Sequence, residues 1–179
     1  QKLSGGEWSV IPDHIDVGGL IVAAAITGGE LLIKNAIPDH MTQILRYFEK
    51  VNLKVEIRGD DIFVPANQKL ECLSNIRGDI DKIYDQPWPM FPVDLIPQAL
   101  ILASCAEGNI MVGSRMYESQ LFFVEELLKM KGTMVLADPH RVVVLGKSKY
   151  KGAKVTSPSI IQCAHAIVLA SLAAEGTTT

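Results

Sequence analysis

Leu102-Ala103-Ser104-Cys105-Ala106-Glu107-Gly108-Asn109-Ile110-Met111-Val112 is an apolar, Ala-rich run that closes on a glycine and passes into a β-like segment. The same plan is written twice more, in Ala23-Ala24-Ala25-Ile26-Thr27-Gly28-Gly29-Glu30-Leu31-Leu32-Ile33 and in Leu169-Ala170-Ser171-Leu172-Ala173-Ala174-Glu175-Gly176-Thr177-Thr178. The glycines fall at 29, 108 and 176. That spacing exceeds the ~20–50-residue period of solenoid repeats and leaves room for a whole supersecondary unit in each copy. The chain reads as an α/β domain of repeated units, approximately 1–66, 67–147 and 148–179, with the third copy cut short.

Working outward, Pro12-Asp13-His14 turns the chain into an apolar run from Ile15 to Ile26. Its nearly all-round hydrophobicity predicts a helix buried on most sides and ended by Gly28-Gly29. Glu30 to Lys34 reads as a strand. Pro38-Asp39 starts a second helix with Met41, Ile44, Leu45 and Phe48 on one face, and Asn52 is a left-handed stop. Leu53 to Arg58 and Ile62 to Val64 flank Gly59-Asp60-Asp61, the pattern of a β-hairpin.

The second unit repeats this order. Asp94 is the expected N-cap of a helix with Pro97 in its first turn, running to Glu107-Gly108. A strand from Asn109 to Val112, an amphipathic helix from Glu118 to Met130 stopped by Gly132, and a hairpin through Asp138-Pro139-His140 complete it. Between the units, Gln86-Pro87-Trp88-Pro89-Met90-Phe91-Pro92 is a rigid loop, because proline fixes φ and removes donors. The third unit opens with a helix from about Ile160 to Ala174.

With 179 residues, 48% hydrophobic and 21% charged, the chain can bury a sizeable core. A formal charge of −3 with interspersed signs gives no basic footprint for nucleic acid and no polybasic segment for a membrane. No apolar stretch reaches the ~18 residues of a membrane span. Cys72, Cys105 and Cys163 form no CxxC pair, which points to buried structural thiols in a reducing, cytoplasmic setting. His14, His40, His140 and His165 have no HxH or HExxH spacing, so no metal is expected, and no glycine-rich phosphate loop calls for a nucleotide cofactor. His140 reads as part of a turn and His165 as a core residue. Gln1 at the start and Thr177-Thr178-Thr179 at the end lead us to expect a piece of a longer protein.

Two places could carry chemistry. Asp94, at a helix start beside the stiff loop, is a carboxylate held ionised by nearby backbone N–H groups, although a plain cap explains it as well. Gly113-Ser114-Arg115-Met116-Tyr117-Glu118-Ser119-Gln120 joins a strand to a helix, where backbone donors suit an anion or a polar ligand, with an ordinary capping turn as the alternative.

Val10-Ile11-Pro12-Asp13-His14-Ile15-Asp16-Val17-Gly18, the Ala23 to Gly29 segment, Phe91-Pro92-Val93-Asp94, Tyr117-Glu118-Ser119 and Ala174-Glu175-Gly176-Thr177-Thr178 together resemble the enolpyruvyl transferases. Within them, the resemblance is to the UDP-N-acetylglucosamine 1-carboxyvinyltransferase family, over essentially the whole chain and in the same order. It implies an inside-out α/β barrel domain of βαβαββ units around inward-facing helices, working with a second domain that is missing here. The implied reaction transfers the enolpyruvyl group of phosphoenolpyruvate to the sugar 3-hydroxyl in peptidoglycan synthesis.

By the same resemblance, Asp94 is the catalytic proton acceptor, and Met116 and Tyr117 contact the nucleotide sugar. Gln120 and Gln162 stand where the family has arginines for the anionic groups of phosphoenolpyruvate. Each lost charge-assisted hydrogen bond is worth about 1.5–3 kcal/mol, so weaker anion binding is expected. None of the cysteines matches the family's catalytic cysteine, and the chain alone is expected to be inactive. Two alternatives stay open: a 3-phosphoshikimate 1-carboxyvinyltransferase, and a non-catalytic nucleotide-sugar-binding paralogue.

Overall fold

Residues 3–179 are described by a computed structural model. Helix α1 (His14–Thr27) begins where the Asp13 carboxylate accepts a hydrogen bond from the Ile15 N–H at 2.8 Å, and it ends on Gly28 at φ 70°. That left-handed closure suits glycine, which has no Cβ to clash. Strand β1 (Leu31–Ile33), helix α2 (Pro38–Phe48), and the hairpin of β2 (Glu56–Arg58) and β3 (Asp61–Val64) follow, and Asn52 is left-handed at φ 58° as expected. Met41, Ile44 and Phe48 of α2 are fully buried on the predicted face. The strands form an antiparallel sheet in the order β1-β3-β2.

The next part of the chain has the same sequence of elements with an extra strand in front. Strand β4 (Asp81–Tyr84) pairs in parallel with β5 (Asn109–Gly113), and β6 (Met134–Asp138) and β7 (Arg141–Leu145) make the hairpin, giving a sheet ordered β4-β5-β7-β6. Ile83, Ile110, Val112, Val142 and Val144 are buried on one face of it, the period-two alternation of a half-covered sheet. Helix α3 (Ile96–Ser104) packs against that sheet, α4 (Val124–Lys129) follows β5, and α5 (Ile161–Leu172) is the last element.

Helices α1, α3 and α5 pack on one another at the centre, with the sheets outside. Gly18 and Gly19 permit the approach, since a Cβ on either would overlap the Leu95 or the His165 side chain. Leu95, Ile96, Leu100, Ile101 and Ala166 are fully buried around this contact. Each large apolar side chain buried there contributes about 1.5–3 kcal/mol before the entropy of ordering is counted.

Four expectations need correction. Asp94 is not a helix N-cap: it lies inside a 3-10 turn, Val93–Leu95, ahead of α3. Helix α3 ends at Ser104 rather than at Glu107-Gly108, because the chain leaves the helix to reach a parallel bridge between Glu107 and Glu71. The helix expected from Glu118 is a 3-10 turn, Gln120–Phe123, running into α4, since Ser119 is left-handed at φ 65° and blocks an earlier start. Lys131, not Gly132, takes the left-handed position after α4 at φ 67°. Gly132 is required for space, as a Cβ there would come within 2.9 Å of the Leu127 carbonyl oxygen.

Candidate active site

A cavity of about 370 Å³ opens at the N-terminal ends of α3 and α5, lined by Asp94, Tyr117, Gln120, Ile160 and Gln162. Four of the five residues singled out from the sequence share it. Met116 is the exception: its side chain is 54% exposed on the neighbouring loop and does not line the cavity.

Two loops frame the space. The Pro-rich loop follows β4, and the Gln86 N–H donates to the Phe91 carbonyl at 2.9 Å to close it. Phe91 is fully buried against Tyr47, with ring centroids 4.9 Å apart, and against Phe48. This anchor places the turn that carries Asp94. Among the described residues the Asp94 carboxylate has no hydrogen-bond partner, and the residue is half-buried. Its oxygens have lone pairs free at the wall of the cavity.

The second loop, Ser114 to Ser119, is gripped from several sides. The Ser114 hydroxyl donates to Gln120 Oε1 at 2.7 Å, and Gln120 Nε2 donates to the Val93 carbonyl at 3.2 Å. The Cys163 thiol donates to the Gln120 carbonyl at 3.2 Å. Gln120, 1% exposed, therefore stitches this loop to the Asp94 turn and to α5 with its polar atoms already engaged inside the protein. It is a brace as well as a wall of the cavity.

From the far side, the Ser114 N–H donates to the His140 carbonyl at 2.9 Å, and the His140 Nδ1 lies 2.9 Å from the Ser114 carbonyl oxygen. The role of His140 in a turn thus extends to holding this loop. Gly113 is required where the loop leaves β5, because a Cβ would overlap the Tyr84 ring. The Arg115 guanidinium lies over that ring, 4.2 Å from its centroid.

Gln162 sits in the first turn of α5, whose N-cap, Ile160, offers no side-chain hydrogen bond. The lining residues comprise one carboxylate, one phenol, two amides and an isoleucine, with no cation. This composition can orient a hydroxyl-rich ligand and accept a proton from it, and it supplies no guanidinium for a phosphate. Burial pushes the thiols up, Cys105 to about 11 and Cys163 to about 12, so neither is a nucleophile at neutral pH. His165 is half-buried between α5 and α3, with its Nδ1 3.5 Å from Gln98 Nε2.

Sequence reading passed over Asp85 and took His140 for a turn residue only, whereas Ser114 lies inside the loop it singled out. Asp85 follows Asp81-Lys82-Ile83-Tyr84 at the end of β4, and those four residues carry no alternation that would mark the strand in the sequence. Nothing local in the sequence marks the partners of Gln120, which lie 6, 27 and 43 residues away.

Sheets outside and helices inside give the chain the enolpyruvyl transferase class of fold, as two solved structures show. The enolpyruvyl transferase NikO from Streptomyces tendae superposes with a TM-score of 0.75 at 18% identity, over 92% of this chain and 37% of that one. An EPSP synthase from Acinetobacter baumannii superposes with a TM-score of 0.64 at 19% identity, over 93% of this chain and 41% of that one. Residues 1–179 match the EPSP synthase (3-phosphoshikimate 1-carboxyvinyltransferase) family, and the chain belongs to it.

Among curated relatives, the UDP-N-acetylglucosamine 1-carboxyvinyltransferase of Bradyrhizobium diazoefficiens is 41% identical over 177 residues, 99% of this chain and 41% of that protein. The protein of the same name from Bacteroides thetaiotaomicron is 41% identical over 182 residues, 100% of this chain and 42% of that protein. The chain thus spans about two fifths of the length of these relatives.

Proposed function

We propose that the chain is one part of a UDP-N-acetylglucosamine 1-carboxyvinyltransferase, an enzyme of cell-wall peptidoglycan synthesis, and that the cavity around Asp94 activates the acceptor sugar. The observation that carries this reading is the unpartnered Asp94 carboxylate, half-buried in a cavity shared with Tyr117, Gln120 and Gln162. The relatives' names supply the substrate class.

In this mechanism the sugar 3-hydroxyl oxygen bonds to C2 of phosphoenolpyruvate while Asp94 accepts the hydroxyl proton and C3 gains a proton. The resulting tetrahedral adduct loses inorganic phosphate from C2 and a proton from C3, which restores the double bond. General-base assistance of this kind is worth about 10²–10⁴ in rate. Tyr117 in the cavity wall, and the exposed Met116 before it in the same loop, contact the nucleotide sugar. Gln162 offers its amide to an anionic group, and Gln120 adds mainly the spacing of the walls. The cations that phosphoenolpyruvate needs come from the remainder of a protein of the relatives' length, as a second domain, and the compartment is cytoplasmic, where Cys72, Cys105 and Cys163 stay free thiols.

The absence of any cation among the lining residues favours a second reading, a paralogue that binds the nucleotide sugar without turnover. The test is phosphate release from phosphoenolpyruvate by the full gene product, with UDP-N-acetylglucosamine or 3-phosphoshikimate as acceptor. Turnover with the nucleotide sugar alone supports the proposal, and turnover with 3-phosphoshikimate overturns it. Binding of the nucleotide sugar with no turnover selects the paralogue.

A further inference from the structure

Asp85 is the one fully buried carboxylate among the described residues, with 1% of its surface exposed. Its Oδ1 accepts a hydrogen bond from the Arg115 N–H at 2.6 Å and its Oδ2 one from the Met116 N–H at 2.9 Å. No lysine or arginine pairs with it among the described residues. A buried charge without a cation is costly unless hydrogen bonds satisfy it, so these two N–H groups are what hold the carboxylate there.

Position gives the contact its meaning. Asp85 is the residue after β4, and the next residue, Gln86, closes the Pro-rich loop onto Phe91, three residues before Asp94. The main chain of Asp85 therefore begins one wall of the cavity while its side chain fastens the other, one and two residues before Tyr117. Each of the two adjacent N–H donors has its own oxygen here, the match that a carboxylate gives. An amide would set an N–H₂ against one of them, and a hydroxyl would reach only one.

We propose that Asp85 is a positioning residue that sets the spacing between Asp94 and Tyr117 by tying together the two loops that frame the cavity. This rests on the transferase reading for its catalytic consequence and on geometry alone for the tie.

The test pairs hydrogen exchange with kinetics on the full gene product and its Asp85→Asn variant. In the wild type the Arg115 and Met116 amides exchange slowly although both side chains are exposed, and fast exchange there overturns the proposal whether or not the variant folds. In the variant those two amides exchange at least about tenfold faster, while Val142 and Val144 in β7 keep their rates. The KM for UDP-N-acetylglucosamine rises about tenfold, with that for phosphoenolpyruvate within about twofold. A purely structural role lowers the active fraction and leaves both KM values alone, which also overturns the proposal. Should the wild type turn over no acceptor, the transferase reading fails, and exchange at Arg115 and Met116 still decides whether Asp85 holds the loop.

Discussion

The loop from β1 to α2 and the loop from β5 to the 3-10 turn before α4 are the same piece of architecture put to different use. Both enter their helical segment from a left-handed residue that makes no side-chain cap bond, Ile37 at φ 47° and Ser119 at φ 65°. The first is short and held by its own hairpin: the Asn35 N–H donates to Asp61 Oδ1 at 2.8 Å and the Ala36 N–H to the Asp60 carbonyl at 2.8 Å. The second is longer: Asp85 and His140 bond to it directly, and Gln120, the residue that follows it, links it to Val93 and Cys163. The first loop is tied to one place, the turn between β2 and β3, with Asp61 26 residues on from Asn35. The second is tied to the end of β4, to the turn before α3, to the β6–β7 turn and to α5, and this wider set of anchor points is what separates the two loops.

The strongest way to break this contrast is at its anchor. Phe91→Ala removes the ring packed on Tyr47 and Phe48 and is expected to cost about 3–5 kcal/mol, read by denaturant unfolding. Gln120→Ala leaves the Val93 carbonyl and the Ser114 hydroxyl without partners, for a loss of about 1–3 kcal/mol and faster proteolysis between 113 and 120. In the first loop, Ile37→Gly relieves a left-handed β-branched residue but loses its packing, and stability stays within about 1 kcal/mol. Equal effects for Gln120→Ala and Ile37→Gly would mean the two loops are held alike.

Smaller effects sharpen the picture. Hydrogen bonds from the Arg141 side chain and the His140 N–H hold the Asp138 carboxyl below its usual range. A lowered folded value contributes stability that is present above the unfolded value, about 3.9, and is lost as pH falls through the folded one. The β6–β7 turn should therefore keep its Arg141 clasp at pH 4 and release it only in stronger acid, which carboxyl chemical shifts will follow. Cys105 and Cys163, raised to about 11 and about 12 by burial, should resist thiol reagents at pH 8 until the protein unfolds. Prompt labelling of Cys163 would contradict its hydrogen bond to the Gln120 carbonyl.

What was legible in the sequence was local. The Ala-rich runs gave α1, α3 and α5, because an all-round apolar helix has nowhere to sit but the centre, and Met41, Ile44 and Phe48 gave the buried face of α2. Asp94, Tyr117, Gln120 and Gln162 could be named, but their meeting at one cavity depends on how α3 and α5 pack, which no spacing records. Strand β4 was missed because its four residues are too few for periodicity to register, and the Asp94 cap was misjudged because Pro92 and Val93 start a 3-10 turn one step earlier. Gln120 as a brace was invisible, since its partners are distant in sequence.

The most direct test of the account is phosphate release by the full gene product given phosphoenolpyruvate and UDP-N-acetylglucosamine, compared with its Asp94→Asn variant. The account predicts turnover in the wild type and a loss of about 10²–10⁴ in kcat in the variant, with nucleotide-sugar binding retained. Turnover that survives Asp94→Asn would contradict it.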